Sequence, residues 1–349
     1  MLQLTITDIA FGGKGVARHE GKVYFVPFTI PGEVVTVRVV REKKRFAEAE
    51  LVSIDSPTPS RVTPECPYFG RCGGCSYQHI AYADQLEIKS RQVADTLRRV
   101  GRLEEVPMRP IVPAPEPYGY RNRIRVHVES GVTGFYAHES HALVDIAQCP
   151  ISRPEVNGAL RRLRNTAVRD GDYSLRAPGG GPFFEQTNEA VAREMVALVE
   201  RSVRRGQALL VDAYCGSGLF ARHLAPRFEQ VIGIEENAYA VESARRGAAE
   251  HERYVQTDVA VVLGEILAAH DAARTTVVLD PPNIGISPRV TDLLLGGRPA
   301  EIIYVSCNPA TLARDLGTLC GSYRLKAVTP LDMFPQTAEI EVVAQLALR

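Results

Sequence analysis

The chain has 349 residues, which is more than one ordinary domain needs and enough for two or three that each bury a core. Its 41 Lys and Arg residues equal its 41 Asp and Glu residues, which argues against a strongly basic nucleic-acid binder but not against local basic patches. No apolar run approaches the length of a membrane span, and the first residues lack the pattern of a signal peptide. We therefore expect a cytoplasmic, multidomain protein whose seven cysteines are ligands or nucleophiles rather than disulfides.

Short stretches of alternating apolar and polar residues predict β-strands throughout residues 1–55. Turn residues separate these strands at 12–15 and at 31–32. Several short strands at this spacing favour a small closed barrel of the oligonucleotide-binding type. The basic run at 41–45 fits contact with a nucleic acid, and it also fits a solvated hairpin without a partner.

Four cysteines form a candidate metal centre. Cys66, Cys72 and Cys75 stand in a C-x5-C-x2-C array, whose glycines permit the tight backbone that wraps a metal. Cys149, which a proline follows, supplies a fourth thiolate, and four thiolates suit either a 4Fe-4S cluster or zinc. A cluster is the preferred interpretation, with zinc and unligated core thiols as alternatives. His79 could replace Cys149, although a lone histidine is more often structural.

Two basic stretches follow the first cysteines. Apolar residues at helical spacing predict a helix over 82–100. Its polar face is predicted to carry Lys89, Arg91, Arg98 and Arg99. A strand near residues 120–127 then places Arg121, Arg123 and Arg125 on one face, beside aromatic residues. Arginines hold phosphates and aromatic rings stack on bases, so this face suits single-stranded nucleic acid; a solvent-exposed sheet face is the alternative.

From residue 183 onward, helices alternate with apolar strands, which is the pattern of a parallel sheet with crossover helices. An apolar strand over 208–214 leads into a glycine-rich turn at 215–218. The next strand, 231–234, ends in Glu235, which is placed to accept hydrogen bonds from ribose hydroxyls. The turn also satisfies the dinucleotide pattern G-x-G-x-x-A, but such a match alone is weak evidence for a nicotinamide cofactor.

Two further strands of this half end in acids. Asp258 follows the third strand, where it can meet an adenine amino group, and Asp280 follows a fourth strand over 275–279. An acid-lined crevice repels a pyrophosphate but suits the sulfonium and ammonium groups of S-adenosylmethionine. A methyl donor is therefore favoured over a nicotinamide.

A cysteine stands at the end of another buried strand. The apolar run 302–305 stops at Ser306 and Cys307, and ligands of parallel α/β sheets bind beyond the carboxyl ends of the strands. The thiol of Cys307 would then face a pocket, although a free cysteine often serves only as a small buried hydrophobe.

These motifs together resemble the RNA 5-methyluridine methyltransferase family. The matching features are residues 212–218 (DAYCGSG), 280–282 (DPP), 306–309 (SCNP) and the four-cysteine array, while the first strands resemble a TRAM domain. The resemblance implies an OB-like TRAM RNA-binding β-barrel, a central α+β domain with an iron–sulfur cluster, and an α/β Rossmann-like methyltransferase domain. The implied ranges are 1–55, 56–182 and 183–349.

The resemblance also implies roles for single residues. Residues 184–188 (FEQTN) match the family's Phe-x-Gln-x-Asn motif. The implied cofactor contacts are Gln186, Tyr214, Glu235, Asp258 and Asp280. The implied cluster ligands are Cys66, Cys72, Cys75 and Cys149. Cys307 is implied as the nucleophile and Glu341 as the general base.

The chain departs from the family's pattern at two positions. Asn283 stands where arginine commonly follows Asp-Pro-Pro, which puts a contact to substrate or to the neighbouring loop in question. Glu339 stands where the family usually has histidine. In a strand Glu339 and Glu341 would share one face, so the assignment of the base depends on register.

The implied reaction is methylation of uracil C5, in which a thiolate adds to C6 and a carboxylate later removes the C5 proton. Relatives with both barrel and cluster often modify large-subunit ribosomal RNA, which is therefore the expected partner ahead of transfer RNA, and a monomer is expected. Alternatives are an amine N-methyltransferase, because of the Asp-Pro-Pro loop, and a non-catalytic iron–sulfur protein that binds RNA. Cytosine C5 methylation would use the same thiol chemistry.

Overall fold

The computed structural model describes residues 1–166, 169–179 and 186–349. Contacts within the chain divide it into two compact units. The first unit consists of Met1–Gln92, Ala114–Gly180 and Phe334–Glu339. The second unit consists of Val93–Pro113, Gly181–Met333 and Ile340–Arg349. The three-domain division stays a prediction, and its boundary between residues 182 and 183 lies outside the described residues.

Five strands at the amino terminus close into a barrel, as the alternating sequence predicts. They are β1 (Leu2–Ile9), β2 (Gly15–His19), β3 (Lys22–Val26), β4 (Val34–Glu42) and β5 (Phe46–Ser56). Their order around the barrel is β1-β2-β3-β5-β4. Alternate residues such as Leu4, Ile6, Val35 and Val37 fill the interior. The basic residues 43–45 are exposed between β4 and β5.

A second, antiparallel sheet completes the regular structure of the first unit. Its strands are β6 (Arg123–Glu129), β7 (Val132–Tyr136), β8 (Leu143–Asp145) and β9 (Gly171–Arg176), in the order β8-β7-β6-β9. In β6 the predicted alternation is present, because Ile124, Val126 and Val128 are buried while Arg125 is exposed. The predicted row of three arginines is not complete, since Arg121 lies before the strand. Helix α2 (Pro154–Arg164) packs Val156 and Leu160 against these apolar residues.

Helix α1 (Tyr82–Arg99) has the predicted bounds to within one residue, but one of its predicted surface residues is wrong. Lys89 is fully buried instead of lying on the polar face. Its Nζ donates to the carbonyl of Phe334 at 3.1 Å and lies 5.9 Å from the centroid of the Tyr77 ring. A buried ammonium group is tolerated because the hydrogen bond and the ring face replace part of its hydration.

The second unit is built on one mixed sheet. Its strands are β10 (Leu209–Ala213), β11 (Gln230–Glu235), β12 (Glu252–Gln256), β13 (Thr275–Leu279), β14 (Glu301–Ser306), β15 (Tyr323–Leu331) and β16 (Glu341–Leu348). Their order is β12-β11-β10-β13-β14-β16-β15. The first five strands in that order are parallel, whereas β16 runs antiparallel to both of its neighbours. The α/β methyltransferase fold predicted for this half is confirmed.

Helices connect the strands of this sheet. They are α3 (Glu189–Ser202), α4 (Leu219–Leu224), α5 (Ala238–Arg245), α6 (Val259–Ala269), α7 (Pro288–Gly297) and α8 (Pro309–Leu319). Side-chain caps start five of them: Asn188, Asn237, Asp258, Ser287 and Asn308 each accept a hydrogen bond from a backbone N–H of the first turn. Each cap sets the residue at which its helix begins. The caps therefore also fix where the preceding loops end.

The strand order indicates which edge of the sheet forms a ligand-binding crevice. Strands β10, β13 and β14 are buried at every residue, as expected for parallel strands covered on both faces. The chain order reverses between β10 and β13, which is the switch point at which open α/β sheets form a crevice. Because β16 is antiparallel, it begins at the edge where the parallel strands end.

Candidate active site

The turn after β10 has an unusual backbone. Tyr214, Gly216 and Gly218 have φ values of 64°, 52° and 84°, so three residues within one short turn are left-handed. Glycine adopts this conformation without cost, whereas Tyr214 is held there against its preference. A Cβ at Gly218 would lie 3.0 Å from the Tyr254 hydroxyl, so the turn packs tightly where it enters α4.

Asp212 is a buried acid directly beneath this turn. Its Oδ2 accepts a hydrogen bond from the Ala221 N–H at 2.8 Å. Within the described part of the chain, its Oδ1 has no hydrogen-bond donor. Burial, together with the negative charges of Asp280 and Glu235, raises the pKa of Asp212 to about 7.

Two more carboxyl groups lie at neighbouring strand ends. Burial raises the pKa of Asp280 to about 7, and its backbone N–H donates to the Ala213 carbonyl at 3.3 Å. Glu235 accepts hydrogen bonds from the Gly216 N–H at 3.1 Å and from the Asn237 N–H at 2.9 Å. Among the groups that set the pKa values of Asp212 and Asp280, the described residues include no lysine or arginine. Asp212 and Asp280 therefore lie at this edge without a basic group of the described residues contributing to either pKa shift.

Tyr214 and Asp258 border the same edge. Burial, followed by the charges of Asp258, Asp315 and Glu236, raises the pKa of Tyr214 to about 12. Asp258 itself is exposed and caps α6 by accepting from the Ala260 N–H at 2.7 Å. These two residues are thus close enough to interact electrostatically.

Gln186 lies in the segment that leads into α3, where its side chain is partly buried. Phe184 and Glu185, which precede it in the predicted motif, lie outside the described residues. Asn188, the last residue of the motif, caps α3 by accepting a hydrogen bond from the Val191 N–H at 3.3 Å. It therefore stabilises the start of this helix.

Cys307 follows the last residue of β14 and is exposed. The next residue, Asn308, caps α8 and donates from Nδ2 to the Asn283 carbonyl at 3.0 Å. The Thr311 hydroxyl donates to the same carbonyl at 3.1 Å. The loop after Asp280 is therefore tied to the cysteine loop by the main chain of Asn283, a contact that does not need arginine at this position.

Glu341 is the first residue of β16 and is buried, with 4% of its surface exposed. The last paired residues of β14 and β16 are Ser306 and Val342. Cys307 follows Ser306 and Glu341 precedes Val342, so the two residues come directly after the last pair of this ladder.

Glu339 has a different environment. It lies before the strand begins, so the expected face shared with Glu341 does not form, and its N–H donates to the Thr337 hydroxyl at 3.2 Å. Its exposed carboxylate instead lies 3.8 Å from the Arg121 guanidinium within the first unit.

Another buried acid near the edge was not anticipated from the sequence. Asp315 accepts from the Tyr304 hydroxyl at 2.6 Å and from the Ile286 N–H at 3.1 Å. It thereby ties β14, α8 and the loop before α7 together. The available signal was an acid at position 315 between the apolar residues Ala313 and Leu316 of a helix.

The four predicted ligand cysteines are each partly buried in the first unit. Burial raises the pKa of Cys66 and Cys72, and raises that of Cys75 to about 12. The charge that a Cys149 thiolate would carry adds to all three shifts, so the four sulfurs are near neighbours. Among the described residues, no group of three or more His, Cys, Asp or Glu side chains meets the criteria for a metal site.

Two further observations concern the whole described chain. None of the seven cysteines, all of which are described, is in a disulfide. No described helix combines the length and the apolar character that crossing a membrane requires.

Comparisons with known proteins agree with both halves of this description. The TRAM domain profile matches residues 2–52, and the profile of tRNA (Uracil-5-)-methyltransferase matches residues 263–348. An RNA methyltransferase of Thermosynechococcus vestitus is 30% identical, over 99% of this chain and 97% of the relative. Another, from Bdellovibrio bacteriovorus, is 33% identical over 99% of this chain and 94% of the relative.

A solved structure resembles the whole fold. The Pyrococcus abyssi tRNA (uracil-54, C5)-methyltransferase, in complex with S-adenosyl-L-homocysteine, superposes with a TM-score of 0.73 at 26% identity. The match covers 99% of this chain and 100% of that chain. With its TRAM barrel and methyltransferase sheet, the chain belongs to the tRNA (uracil-5-)-methyltransferase family of S-adenosylmethionine-dependent RNA methyltransferases.

Proposed function

We propose that the protein methylates C5 of a uridine in RNA and so makes 5-methyluridine. The observation that supports this proposal is that Cys307 and Glu341 come directly after the last β14–β16 pair, at the acid-lined edge of the sheet. A thiol and a carboxylate across one strand pair are the two groups that this reaction needs, since C5 and C6 are adjacent atoms of one ring.

The carboxyl groups of this edge suit a cationic methyl donor. Asp212 has a buried oxygen that no described group satisfies, and desolvation raises the pKa of the partly buried Asp280 without a basic group among the causes. When bound, S-adenosylmethionine supplies an electrophilic methyl group on a sulfonium. We assign its contacts to five residues: Gln186, Tyr214, Glu235, Asp258 and Asp280.

Cys307 is proposed to start the reaction, because C5 of uracil is too weak a nucleophile to take a methyl group unaided. The thiolate forms a bond to C6, and the electron pair of the C5–C6 double bond moves toward C5 and O4. C5 can then form its new carbon–carbon bond, and the leaving sulfur keeps the pair of the bond that breaks. The exposed position of Cys307 gives a base access to it.

Glu341 is proposed to finish the reaction. It takes the proton from C5, the electron pair of that C–H bond restores the C5–C6 double bond, and the thiolate leaves. The base must reach the carbon next to the one that holds sulfur, which the opposed positions of Glu341 and Cys307 allow. The ion pair of Glu339 with Arg121 argues against a shared role for Glu339.

The first unit is proposed to hold the RNA. The outer face of its antiparallel sheet presents Arg125 and the stacked rings of His127 and Tyr136, whose centroids are 4.1 Å apart. Asp172 is hydrogen-bonded to both Arg125 and His127. An RNA phosphate would have to compete with Asp172 for these two side chains. A target base must leave its stack for its C6 atom to reach the thiol of Cys307, so such a face would bind a splayed strand.

We propose a 4Fe-4S cluster on Cys66, Cys72, Cys75 and Cys149. Burial and the neighbouring sulfurs raise the pKa of Cys66, Cys72 and Cys75, so these thiols ionise readily only next to a strong cation, which either a cluster or zinc would provide. Anaerobic purification tests this assignment. Iron and acid-labile sulfide lost in Cys149→Ser but kept in Cys320→Ser would support it, and colourless protein with zinc would refute it.

The RNA is proposed to be 23S ribosomal RNA, on the resemblance to relatives that carry both the barrel and a cluster. Transfer RNA is a second candidate, which the Pyrococcus abyssi enzyme favours because its own substrate is uracil 54 of tRNA. A cytoplasmic monomer remains a prediction.

Mapping 5-methyluridine separately in ribosomal and transfer RNA, from cells with and without this gene, tests the function. Loss of one site in one RNA class identifies the substrate. If no 5-methyluridine is lost while a methylated amine disappears, the Asp-Pro-Pro loop serves N-methylation. If neither changes, the protein is a non-catalytic RNA binder.

A further inference from the structure

The segment that leads to Glu341 depends on other parts of the chain for its shape. It connects β15 to β16 over residues 332–340, which is longer than the hairpin loops that fix themselves. Most of it, Phe334–Glu339, belongs to the first unit. Side chains and amides of that unit therefore determine its conformation.

The centre of this segment is a turn with a strained residue. The Thr337 N–H and hydroxyl both donate to the Phe334 carbonyl, at 3.3 Å and 2.8 Å. Pro335 and Gln336 lie between them, and Gln336 has a φ of 69°. A turn with proline second and a positive φ third normally has glycine at the third position. Glutamine persists there only if its surroundings hold it.

The side chain of Gln85, in α1, forms hydrogen bonds to both the backbone and the side chain of Gln336. Gln85 Oε1 accepts from the Gln336 N–H at 3.1 Å, and Gln85 Nε2 donates to Gln336 Oε1 at 3.0 Å. Nε2 also donates to the Ile80 carbonyl at 2.8 Å, which fixes the orientation of the Gln85 amide. Both glutamines are buried, with 0% and 3% of their surfaces exposed. In such a setting an amide left without its partner is costly, so the pair specifies one geometry.

The remaining carbonyls of the turn are also bound within the first unit. The Gln336 carbonyl accepts from the N–H groups of Ser76 and Tyr77, at 3.1 Å and 3.0 Å. The Pro335 carbonyl accepts from the Tyr120 hydroxyl at 2.9 Å, and the Phe334 carbonyl from Lys89. A turn bound at three successive carbonyls, one amide and one side chain has little freedom to shift.

We infer that Gln85 is a positioning residue: by holding Gln336 in its left-handed conformation it sets where the chain enters β16, and hence where Glu341 lies. This inference rests on the proposed role of Glu341 as the base. A glycine at position 336 would supply the same φ without strain, so the side chain of Gln336 serves the pair with Gln85 rather than the turn itself.

The test uses the covalent protein–RNA adduct, which resists denaturing gel electrophoresis, as its readout. In Gln85→Leu, formation of the adduct should be unchanged, because Cys307 is not affected. Its resolution should slow by about 100-fold, the cost of displacing a catalytic group by roughly an ångström, so that the adduct accumulates. The matched control is Gln92→Leu. Gln92 is a second buried glutamine of α1, and it donates to the Ile9 and Ala10 carbonyls at 2.9 Å and 3.1 Å.

A second variant separates positioning from folding. Glycine at position 336 adopts the left-handed φ without help from Gln85, so the double variant Gln85→Leu/Gln336→Gly should resolve its adduct at nearly the rate of the unmodified enzyme. Adduct accumulation in Gln85→Leu that Gln336→Gly relieves, with no accumulation in Gln92→Leu, supports the inference. If Glu341→Gln accumulates the adduct while Gln85→Leu turns over like Gln92→Leu, or while Gln336→Gly does not relieve the defect of Gln85→Leu, the inference alone is overturned. If Glu341→Gln forms no adduct, the proposed function is overturned and the inference with it.

Discussion

Glu341 lies opposite Cys307 when the register of β14 and β16 is continued one residue past the pair Ser306 and Val342. Strand β14 ends at the edge where β16 begins, because the two strands are antiparallel. In the proposed mechanism, this arrangement lets the nucleophile and the base reach adjacent atoms of one ring. The rest of the proposed mechanism depends on this relationship.

Replacing Cys307 by alanine should abolish methyl transfer and leave cofactor binding intact. The thiol forms the bond to C6, whereas the cofactor contacts are assigned to other strand ends. Methylation of RNA and the affinity for S-adenosylhomocysteine measure the two properties. Cys320→Ala is the control, since this half-buried thiol at the end of α8 should be dispensable. Full methylation by Cys307→Ala would remove the nucleophile from the mechanism.

Replacing Glu341 by glutamine should trap the adduct of Cys307 with methylated RNA. The amide keeps the size of the side chain but accepts no proton, so the thiolate cannot leave. Denaturing gels of enzyme with labelled RNA detect the trapped complex. Glu339→Gln should resolve its adduct as the unmodified enzyme does, because its carboxylate faces Arg121. Accumulation in Glu339→Gln only would show that the base has been assigned to the wrong glutamate.

The preference for S-adenosylmethionine over S-adenosylhomocysteine should increase as pH rises through about 7. Asp212 and Asp280 have pKa values raised to about 7 by burial, so below that pH they are mostly neutral and above it mostly ionised. Only the methylated cofactor carries a sulfonium, which the ionised acids stabilise. Calorimetry at about pH 6 and at about pH 8 measures the affinity for each ligand, and the ratio of the two affinities gives the preference at each pH. In Asp280→Asn this ratio should depend less on pH. A ratio that does not change with pH in the unmodified protein would contradict the assignment.

Replacing Gly233 by alanine should destabilise the second unit by about 1–3 kcal/mol, the usual cost of overpacking a core. A Cβ there would lie 2.5 Å from Tyr254 Cδ1 and 2.9 Å from Cys215 Sγ, in the middle of β11. Gly296→Ala in α7 is the control. Its Cβ would meet nothing within 4 Å, and alanine in a helix should raise stability by about 1 kcal/mol. Urea unfolding measures the free energy of unfolding of both variants. Equal changes in that free energy would contradict the packing argument.

The strands of the methyltransferase sheet could be predicted because buried parallel strands are continuous apolar runs. The prediction of a strand over 275–279 coincides with β13, and the acids and the cysteine at the strand ends follow from the same pattern. The barrel was predictable for a similar reason, since each short strand alternates and each turn has its own residues.

Contacts that are distant in sequence could not be predicted in this way. Lys89 looks like a surface residue on its helix, yet Phe334, far along the chain, provides its hydrogen bond. The pair of Gln85 and Gln336 has no local signature either. The start of β16 at Glu341 rather than before Glu339 depends on the same distant contacts. Periodicity describes which face of an element is buried, but it does not describe what lies against that face.

Release of tritium from RNA labelled at C5 of uridine tests the central claim most directly. Methylation at C5 replaces the hydrogen on that carbon, so each methyl group transferred should release one tritium to water, and Cys307→Ala should release none. Methyl transfer to RNA without release of tritium would contradict the account, because the modified atom would then not be C5.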